Sequence, residues 1–412
     1  MRIQSCECFS PSARSAYVIT IISVIGATFE ILAGNESDAR RKRDGFSFPL
    51  AEHRGFSIPQ IDLNNRTDLQ TVISRDPKIY MGHPSSVLLD DGRTMVMMFL
   101  DEHGRGRLMW TRSEDGGRSW SQRLPIPDGW GEALIINGRK HPPFLEIPIL
   151  YKIDGPDGKQ RICAYTGGRN SYPARYGFSE DGGRTWSKLK PLLFGGKQEF
   201  GAACLFSDVL RLKNGEYLCT WHRPGTLFTA TTRDGITFSQ ARATVRHPEA
   251  LPCEGCLIRS PDGGTIALLI REHKRNYNSL ICFSEDEGRT WSEPRQMPDS
   301  LTGDRHQHTV TPDGRLFISF RDRGIKTPSY GDWVGWIGKF EDLIKGREGQ
   351  YRVRMKANFN DCDTGYPTQH LLPDGTIFAS TYGQWERGKP EYIIGYHFRM
   401  EQLDELYRGA KP

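Results

Sequence analysis

The sequence predicts an all-β fold, a six-bladed β-propeller, and two interleaved repeats carry that prediction. The first repeat, Ser-x-Asp-x-Gly-x-x-Trp, occurs three times, and a shorter fourth copy ends in phenylalanine. The copies begin at Ser113, Ser179, Ser284 and, for the short one, Thr232. Asp and Ser side chains can cap backbone amides, glycine permits a positive φ, and tryptophan can pack under the turn. We call this repeat the Asp-box and assign it a structural role.

The second repeat is an Asp-Gly or Asn-Gly pair between two apolar runs. Such a pair between strand-like runs is the strongest short-range signal of a β-hairpin. Six hairpins, several of them followed by an Asp-box, predict six four-stranded blades around one axis. The pairs begin at Asp91, Asp157, Asn214, Asp262, Asp313 and Asp374.

Segments outside the hairpins predict how the propeller closes. Residues 71–74 form a β-branched, strand-like run that can pair with residues 392–394 and close the ring. A short helix is expected from Glu401 to Arg408. We therefore predict one propeller domain over residues 45–400, followed by a short tail over residues 401–412.

The first 44 residues differ from the repeats. Two arginines precede an apolar run over residues 17–29 that is too short to span a bilayer comfortably, which favours a signal peptide over residues 1–36. Acidic residues on either side of the run fit a signal peptide poorly, and a mis-assigned start codon is the alternative. Residues 37–44 form a basic linker. We expect a secreted or periplasmic protein without stable membrane insertion.

Composition and charge exclude several classes of function. The 44 glycines and the 11% of aromatic residues suit short strands joined by tight turns. A formal net charge of +5, with acidic and basic residues interleaved, indicates no nucleic-acid-binding surface. Neither the single C-x-x-C of Cys253 and Cys256 nor the pair His306 and His308 has an evident further ligand. We therefore predict no metal site and no cofactor.

The positions of the six turns also predict where polar side chains should converge. The residue eight positions before each turn begins an inner strand, and a hairpin starts and ends on one side of its sheet. A polar, arginine-rich pocket is therefore expected at one mouth of the propeller, and such a pocket is the default site hypothesis. The inner strands begin at His83, Ile149, Phe206, Glu254, Arg305 and Tyr366, and the returning strands add Asp101, Arg223, Arg271 and Arg321.

With these Asp-boxes and this blade layout, residues 79–398 resemble the sialidase superfamily. Glu254 followed by Arg271 resembles its pairing of a base glutamate with an arginine that binds the substrate carboxylate. The segment around Tyr366 resembles the one with the nucleophilic tyrosine, and the loop of Asp101 resembles that of the acid/base aspartate. The resemblance implies a retaining exo-glycosidase for a terminal sialic acid or another acidic sugar. We expect a glycan as the partner and a monomeric chain.

The implied roles are chemically consistent with one another. Most glycosidases use two carboxylates, but sialidases use a tyrosine nucleophile, which does not repel a substrate carboxylate. A phenol at its ordinary pKa is a weak nucleophile, and Glu254 would be its base. Asp101 would protonate the leaving oxygen and then activate water, while Arg271 would hold the substrate carboxylate by forked hydrogen bonds. Asp101 also suits a turn-capping role, and Glu254 with Arg271 a structural ion pair.

The sequence departs from the family at two of its three carboxylate-binding arginines. His83 stands where the family's first blade has an arginine, and no counterpart of the third arginine occurs in residues 331–340. Arg321, on a neighbouring strand, can substitute for it. The predicted substrate-binding set is completed by Arg223, Arg305 and His308.

Two alternative functions remain open from the sequence. A propeller polysaccharide lyase would use histidine and tyrosine as base and acid on a uronic acid, and His83, His308 and Tyr366 suit that chemistry. A non-catalytic propeller would bind a glycan and leave it intact. The three functions differ in their products, which are a reducing sugar, an unsaturated chromophore, or none.

Overall fold

The computed structural model describes residues 50–136, 139–141, 145–168, 173–199, 201–202, 204–247, 249–360 and 363–409. The propeller lies within the unit Ala51–Pro412. The predicted signal peptide and basic linker, residues 1–44, fall outside these ranges, so secretion stays a prediction. Within the described ranges, no helix is both long enough and apolar enough to cross a membrane.

Thirty strands account for most of the regular structure in the described residues. The strands of the first half are β1 (Gln60–Asp62), β2 (Gln70–Ser74), β3 (Gly82–Leu88), β4 (Met95–Leu100), β5 (Arg105–Gly106), β6 (Leu108–Ser113), β7 (Leu134–Ile136), β8 (Arg139–His141), β9 (Leu145–Glu146), β10 (Pro148–Asp154), β11 (Gln160–Thr166), β12 (Arg175–Ser179), β13 (Lys190–Pro191), β14 (Leu193–Phe194) and β15 (Lys197–Gln198). Those of the second half are β16 (Asp208–Arg211), β17 (Tyr217–Arg223), β18 (Thr226–Thr232), β19 (Arg242–Arg246), β20 (Pro252–Arg259), β21 (Ile266–Glu272), β22 (Leu280–Ser284), β23 (Arg295–Gln296), β24 (Gly303–Val310), β25 (Leu316–Asp322), β26 (Trp333–Gly338), β27 (Tyr351–Lys356), β28 (Gly365–Leu371), β29 (Ile377–Gly383) and β30 (Tyr392–Phe398). The helices are α1 (Phe340–Lys345), α2 (Met400–Gly409) and the 3₁₀ turns Thr67–Leu69 and Asp299–Leu301.

The six blades of the propeller are antiparallel sheets in chain order. They are blade 1 (β3-β4-β6), blade 2 (β10 to β13), blade 3 (β16 to β19), blade 4 (β20 to β23), blade 5 (β24 to β27 with β1 added) and blade 6 (β28 to β30 with β2 added). The prediction of six blades is confirmed, but that of four strands in every blade is wrong for blades 1 and 5.

The two exceptions arise in different ways. After the first Asp-box the chain makes two backbone bonds to β6, from Ser121 N to Arg112 O at 2.8 Å and from Leu124 N to Trp110 O at 2.9 Å. Pro125 and Pro127 follow directly and cannot donate to a ladder, so blade 1 has three strands. In blade 5, β1 adds a fifth strand in parallel to β27, and Ile61 pairs with Val353.

Ring closure and the C-terminal helix agree with the sequence-based expectations. Strand β2 pairs antiparallel with β30 and brings Val72 opposite Ile394, so an N-terminal strand completes the last blade. Helix α2 covers the predicted helical segment and buries Leu403 in the apolar cluster between blades 5 and 6. Clusters of this kind lie between neighbouring blades, so the core is distributed around the ring.

The two repeats form the turns expected of them. All six Asp-Gly or Asn-Gly pairs join the first two strands of a blade, and their glycines have φ between 68° and 82°. In the Asp-box of blade 4, Ser284 Oγ accepts from Gly288 N at 2.8 Å and Asp286 Oδ1 accepts from Thr290 N at 2.8 Å. Trp291 Nε1 donates to Gly288 O at 3.2 Å. Both kinds of turn follow strands that run away from the mouth. They therefore lie at the opposite end of the propeller.

Candidate active site

Five of the six inner strands enter at the mouth through a non-glycine residue with positive φ. Such a conformation costs about 1 kcal/mol or more, and it clusters at functional sites. In four of these blades the strand register shifts at the same point, as in a β-bulge. The residues are His83 (58°), Phe206 (51°), Glu254 (44°), Arg305 (59°) and Tyr366 (57°). These are five of the six positions identified by counting back from the turns, and Ile149 is the exception.

Tyr366 and Glu254 meet across the axis, from blades 6 and 4. Tyr366 Oη donates to Glu254 Oε1 at 2.5 Å, and Arg271 Nη1 donates to Glu254 Oε2 at 2.6 Å. Burial opposes ionisation of Glu254, but the guanidinium groups of Arg271 and Arg305 outweigh it and hold its pKa well below the usual value. Burial and the neighbouring Glu254 raise the pKa of Tyr366 well above 10. The resting pair is therefore a neutral phenol and a carboxylate.

Asp304 connects three arginines behind this pair. Its carboxylate accepts from Arg321 Nε at 3.0 Å and from Arg275 Nη2 at 2.7 Å, and Arg271 Nε lies 3.1 Å away. Burial opposes its ionisation, but the arginines hold its pKa well below 3.8. Arg321 is thus linked to Glu254 through Asp304 and Arg271. Asp304 was not predicted as a site residue from the sequence, although it directly precedes Arg305, which the turns had marked.

Arg305 differs from these arginines in having no carboxylate within ion-pair distance among the described residues. It is 4% exposed, its Nη1 donates to Ser207 O at 2.9 Å, and its guanidinium lies 4.7 Å from the centre of the Tyr366 ring. No described group accepts from its Nε atom. Together with Tyr366 it lines an axial cavity of about 260 Å³. Its charge and one donor therefore remain available for an anionic group.

A wall of aromatic and acidic side chains stands beside Tyr366. The buried His83 ring lies 4.6 Å from the Tyr366 ring and 4.8 Å from that of His103. Burial, with a contribution from His103, holds the pKa of His83 well below 6.5, so its imidazole is neutral. Asp363 Oδ1 accepts from Tyr382 Oη at 2.7 Å and lies 2.8 Å from His103 Nδ1. Burial opposes ionisation of Asp363, but these neighbours keep its pKa below the usual value.

Asp101 is not among the residues that meet at this site. Its carboxylate accepts from Arg107 N at 2.7 Å and from Arg107 Nε at 2.6 Å, within its own loop. Within the described part of the chain, no contact joins it to Tyr366 or Glu254. The same loop instead brings His103 to the site, two residues further on, where it meets Asp363. The loop thus reaches the site through His103, and the turn-capping reading of Asp101 matches its contacts.

Two further predicted residues lie apart from the cluster. Arg223 makes a bidentate pair with Glu199, with both hydrogen bonds 2.7 Å long. His308 lies deeper along its inner strand, with Nδ1 3.7 Å from Cys256 Sγ. The structure thus brings together six of the nine predicted residues: Tyr366, Glu254, Arg271, His83, Arg305 and, through Asp304, Arg321.

Sequence comparisons and structure comparisons give different answers for this chain. No protein-family model matches it, and no curated protein sequence matches it significantly. A protein of unknown function from Dyadobacter fermentans is 16% identical with a TM-score of 0.60, over 80% of this chain and 97% of the other. NanB sialidase from Streptococcus pneumoniae is 13% identical with a TM-score of 0.56, over 81% and 71%. The intramolecular trans-sialidase from Ruminococcus gnavus is 14% identical with a TM-score of 0.52, over 79% and 95%.

At these identities the likeness concerns the fold. Each of the three structures covers about four fifths of this chain, so the likeness extends around the ring and is not confined to one or two blades. Asp-boxes, six hairpin turns and a closing N-terminal strand had predicted the same architecture. The chain has the fold of a sialidase-like six-bladed β-propeller.

Proposed function

We propose that this protein is an exo-acting glycoside hydrolase that removes a terminal acidic sugar with retention, using Tyr366 as the nucleophile. The observation that carries the proposal is the 2.5 Å hydrogen bond from Tyr366 Oη to Glu254 Oε1 at the mouth of a sialidase-like propeller. A nucleophile needs a base within hydrogen-bond reach, and that base needs an orienting group. Arg271 provides the orientation through its 2.6 Å bond to the other carboxylate oxygen.

The first step is glycosyl transfer to the tyrosine. Tyr366 Oη attacks the anomeric carbon, the bond to the leaving oxygen breaks, and the phenolic proton passes to Glu254 Oε1. The pKa values of the resting pair keep this proton on the phenol until the new bond forms, because only then does the phenolic oxygen become acidic. A neutral nucleophile also approaches an anionic sugar without repulsion.

The acid/base role that the sequence suggested for Asp101 is better served by His103 with Asp363. The His103 side chain is 44% exposed, and its Nδ1 atom faces the carboxylate of Asp363 at 2.8 Å. Protonated His103 would give a proton to the leaving oxygen. As a neutral imidazole it would then take a proton from the water that attacks the glycosyl-tyrosine, while Glu254 returns its proton to Tyr366.

The arginines favour a substrate that presents one carboxylate. Arg271 and Arg321 are engaged by Glu254 and Asp304, so a grip by three arginines would require these pairs to break. Arg305 retains a free donor directly beside the Tyr366 ring and has no carboxylate within ion-pair distance among the described residues. We infer that Arg305 recognises the carboxylate, and that sialic acid is one candidate among acidic sugars.

The direct test is Tyr366→Phe assayed on a panel of fluorogenic α-sialosides and uronides. The expected loss in kcat is at least about a thousandfold, because the nucleophile is removed while the ring remains. Tyr396→Phe is the matched control, since it removes a hydroxyl bonded to two backbone carbonyls away from the site. Retained activity in Tyr366→Phe, with unchanged folding by circular dichroism, would refute the tyrosine nucleophile.

A polysaccharide lyase is the second candidate, and the neutral His83 favours it. The neutral imidazole of His83 would be the base, and the protonated Tyr366, whose ring centre lies 4.6 Å from that of His83, would be the acid. Arg305, which lies over the Tyr366 ring, would be the cation that binds the carboxylate of a uronic acid. Elimination creates a carbon–carbon double bond conjugated to that carboxylate. New ultraviolet absorbance during cleavage of a uronic-acid glycan would support the lyase, and cleavage without it would exclude elimination.

A further inference from the structure

Asp208, Cys256 and His308 come together inside the propeller axis. They lie on the inner strands of three consecutive blades, blades 3, 4 and 5, and their potential ligand atoms all lie within 4.8 Å of one another. The sequence had grouped Cys256 with Cys253, and His308 with His306. In the fold both groupings separate, and His306 Nε2 bonds to Leu301 O instead.

The three side chains are a suitable ligand set for zinc. Thiolate, imidazole and carboxylate are the donors that Zn²⁺ prefers in proteins, and three protein ligands leave a fourth position for water. Ligands of a tetrahedral zinc ion lie roughly 3.5 Å apart, and Cys256 Sγ is 3.7 Å from His308 Nδ1. A thiolate and a carboxylate together balance the two charges of the ion, so the filled site would be neutral.

Asp208 is held in place like a metal ligand and has no ion-pair partner among the described residues. It is 7% exposed, and within the described residues no lysine or arginine nitrogen lies within 4.0 Å of its carboxylate. Its oxygens accept from Leu257 N at 2.7 Å and from Val209 N at 2.8 Å. These bonds fix the orientation of the carboxylate and leave a lone pair on each oxygen, as supporting bonds do around metal ligands. A buried carboxylate without a cation is costly.

We propose that Asp208, Cys256 and His308 bind one zinc ion in the axis of the propeller. Binding releases the Cys256 thiol proton to solvent and requires the lone pair of His308 Nδ1. Because the ligands come from three blades, the ion ties those blades together and stabilises the ring by mass action. The site is separate from the Tyr366 pair, so the proposal does not depend on glycosidase activity.

Metal titration of the full-length protein tests this directly. The protein is stripped with a chelator under reducing conditions and reloaded with Zn²⁺ or with Co²⁺ as a spectroscopic probe. We expect about one tightly held zinc per chain, a higher Tm with zinc, and a thiolate-to-cobalt charge-transfer band in the near ultraviolet. Cys256→Ser should lose that band, and Cys253→Ser, a buried thiol on the same strand, should keep it.

X-ray absorption of the zinc-loaded wild type provides a measurement that does not depend on how the variants fold. One sulfur and otherwise nitrogen or oxygen ligands are expected. Absence of stoichiometric zinc, two or more sulfur ligands, or a cobalt band that survives in folded Cys256→Ser would each overturn the proposal. In that case the three side chains form a hydrogen-bonded contact around a buried thiol.

Discussion

The two ends of each inner hairpin are organised differently. At the turn end, all six blades repeat both sequence and conformation, with Asp or Asn followed by a glycine of positive φ. At the mouth, five blades repeat the conformation, a positive φ, while every side chain differs. At the turn end, the repeated residues therefore serve folding. At the mouth, the same backbone conformation positions a different side chain in each of these five blades.

Carboxylates at the two ends also depend on different partners. At the turn end, Asp286 is capped by local amides and hydroxyls, and although burial opposes ionisation these bonds lower its pKa to about 2. At the mouth, Asp304 is fully buried, and its partners are arginines on strands β21 and β25 and on the chain between β21 and β22. Removing a local cap lowers stability by about 1 kcal/mol, whereas removing one partner of a buried ion pair lowers it by several kcal/mol.

Removing the charge of Glu254 should have the largest effect at the mouth. Glu254→Gln keeps the shape but cannot take the proton of Tyr366, so we expect kcat to fall by about a thousandfold or more. Glu199→Gln is the control, because Glu199 pairs with Arg223 outside the cluster. Steady-state kinetics on the best substrate of the panel measures both. Comparable losses in the two variants would show that the Tyr366–Glu254 pair has no special role.

The next largest effect should be on stability. Asp304→Asn leaves Arg271, Arg275 and Arg321 without their shared carboxylate, and we expect the free energy of unfolding to fall by about 3–5 kcal/mol. Urea denaturation measures this change. The turn-end carboxylate Asp374 is exposed, and Asp374→Asn should cost about 1 kcal/mol or less. Equal costs would contradict the contrast between the two ends.

Acid should destabilise the protein through histidines that are buried in the neutral form. Burial lowers their pKa from 6.5 in the unfolded chain to about 4, so between these values the unfolded state binds more protons. Stability is complete above pH 6.5 and is lost as the pH falls toward 4, by roughly a few kcal/mol. Asp208, whose pKa burial raises to about 6, acts in the opposite sense but is outnumbered by these histidines. The histidines are His222, His306, His308 and His370.

Denaturation at constant urea increments from pH 8 to pH 4, with a chelator present, gives the profile. A stability that stays flat between pH 6.5 and pH 4.5 would contradict this prediction. His370→Gln, which removes one of these histidines, should flatten the profile partly.

Asp363→Asn tests the assignment of His103 with Asp363 as the acid/base, and its effect on kcat should be intermediate in size. We expect kcat to fall by about a hundredfold for an alkyl leaving group, because His103 loses the carboxylate that orients its imidazole. The loss should be much smaller for a nitrophenyl leaving group, which departs without a proton. Asp101→Asn should leave this ratio unchanged if its carboxylate only holds its own loop. A leaving-group dependence in Asp101→Asn and none in Asp363→Asn would return the role to Asp101.

The smallest effect should come from the Asp-box. Asp286→Ala removes the acceptor for Thr290 N and Oγ1, and we expect a loss of about 1–2 kcal/mol with unchanged kcat. The same substitution at Asp234, in the short copy, should cost a similar amount because it caps Ile236 N and Thr237 N. A loss of activity without a loss of stability would show that these turns contribute to function.

Short-range chemistry allowed much of the fold to be predicted from the sequence alone. The Asp-Gly and Asn-Gly pairs specify hairpins because glycine takes the positive φ that the turn requires, and six hairpins imply six blades. Counting back from those turns located Glu254, Arg305 and Tyr366, since strand length and direction relate the two ends of a hairpin. The strand that closes the ring was recognisable from its β-branched residues.

Only the tertiary structure decided which side chains meet. Contacts between blades depend on closure of the ring and on bulges at the strand entrances, which no local pattern specifies. For this reason Asp304 and Asp363 were missed, and His103 reaches the site in place of Asp101. Asp208, Cys256 and His308 are separated by about 50 residues in turn and become neighbours only because consecutive inner strands line one axis. The sequence determines the blades through local turns, and the ring determines the chemistry through contacts between them.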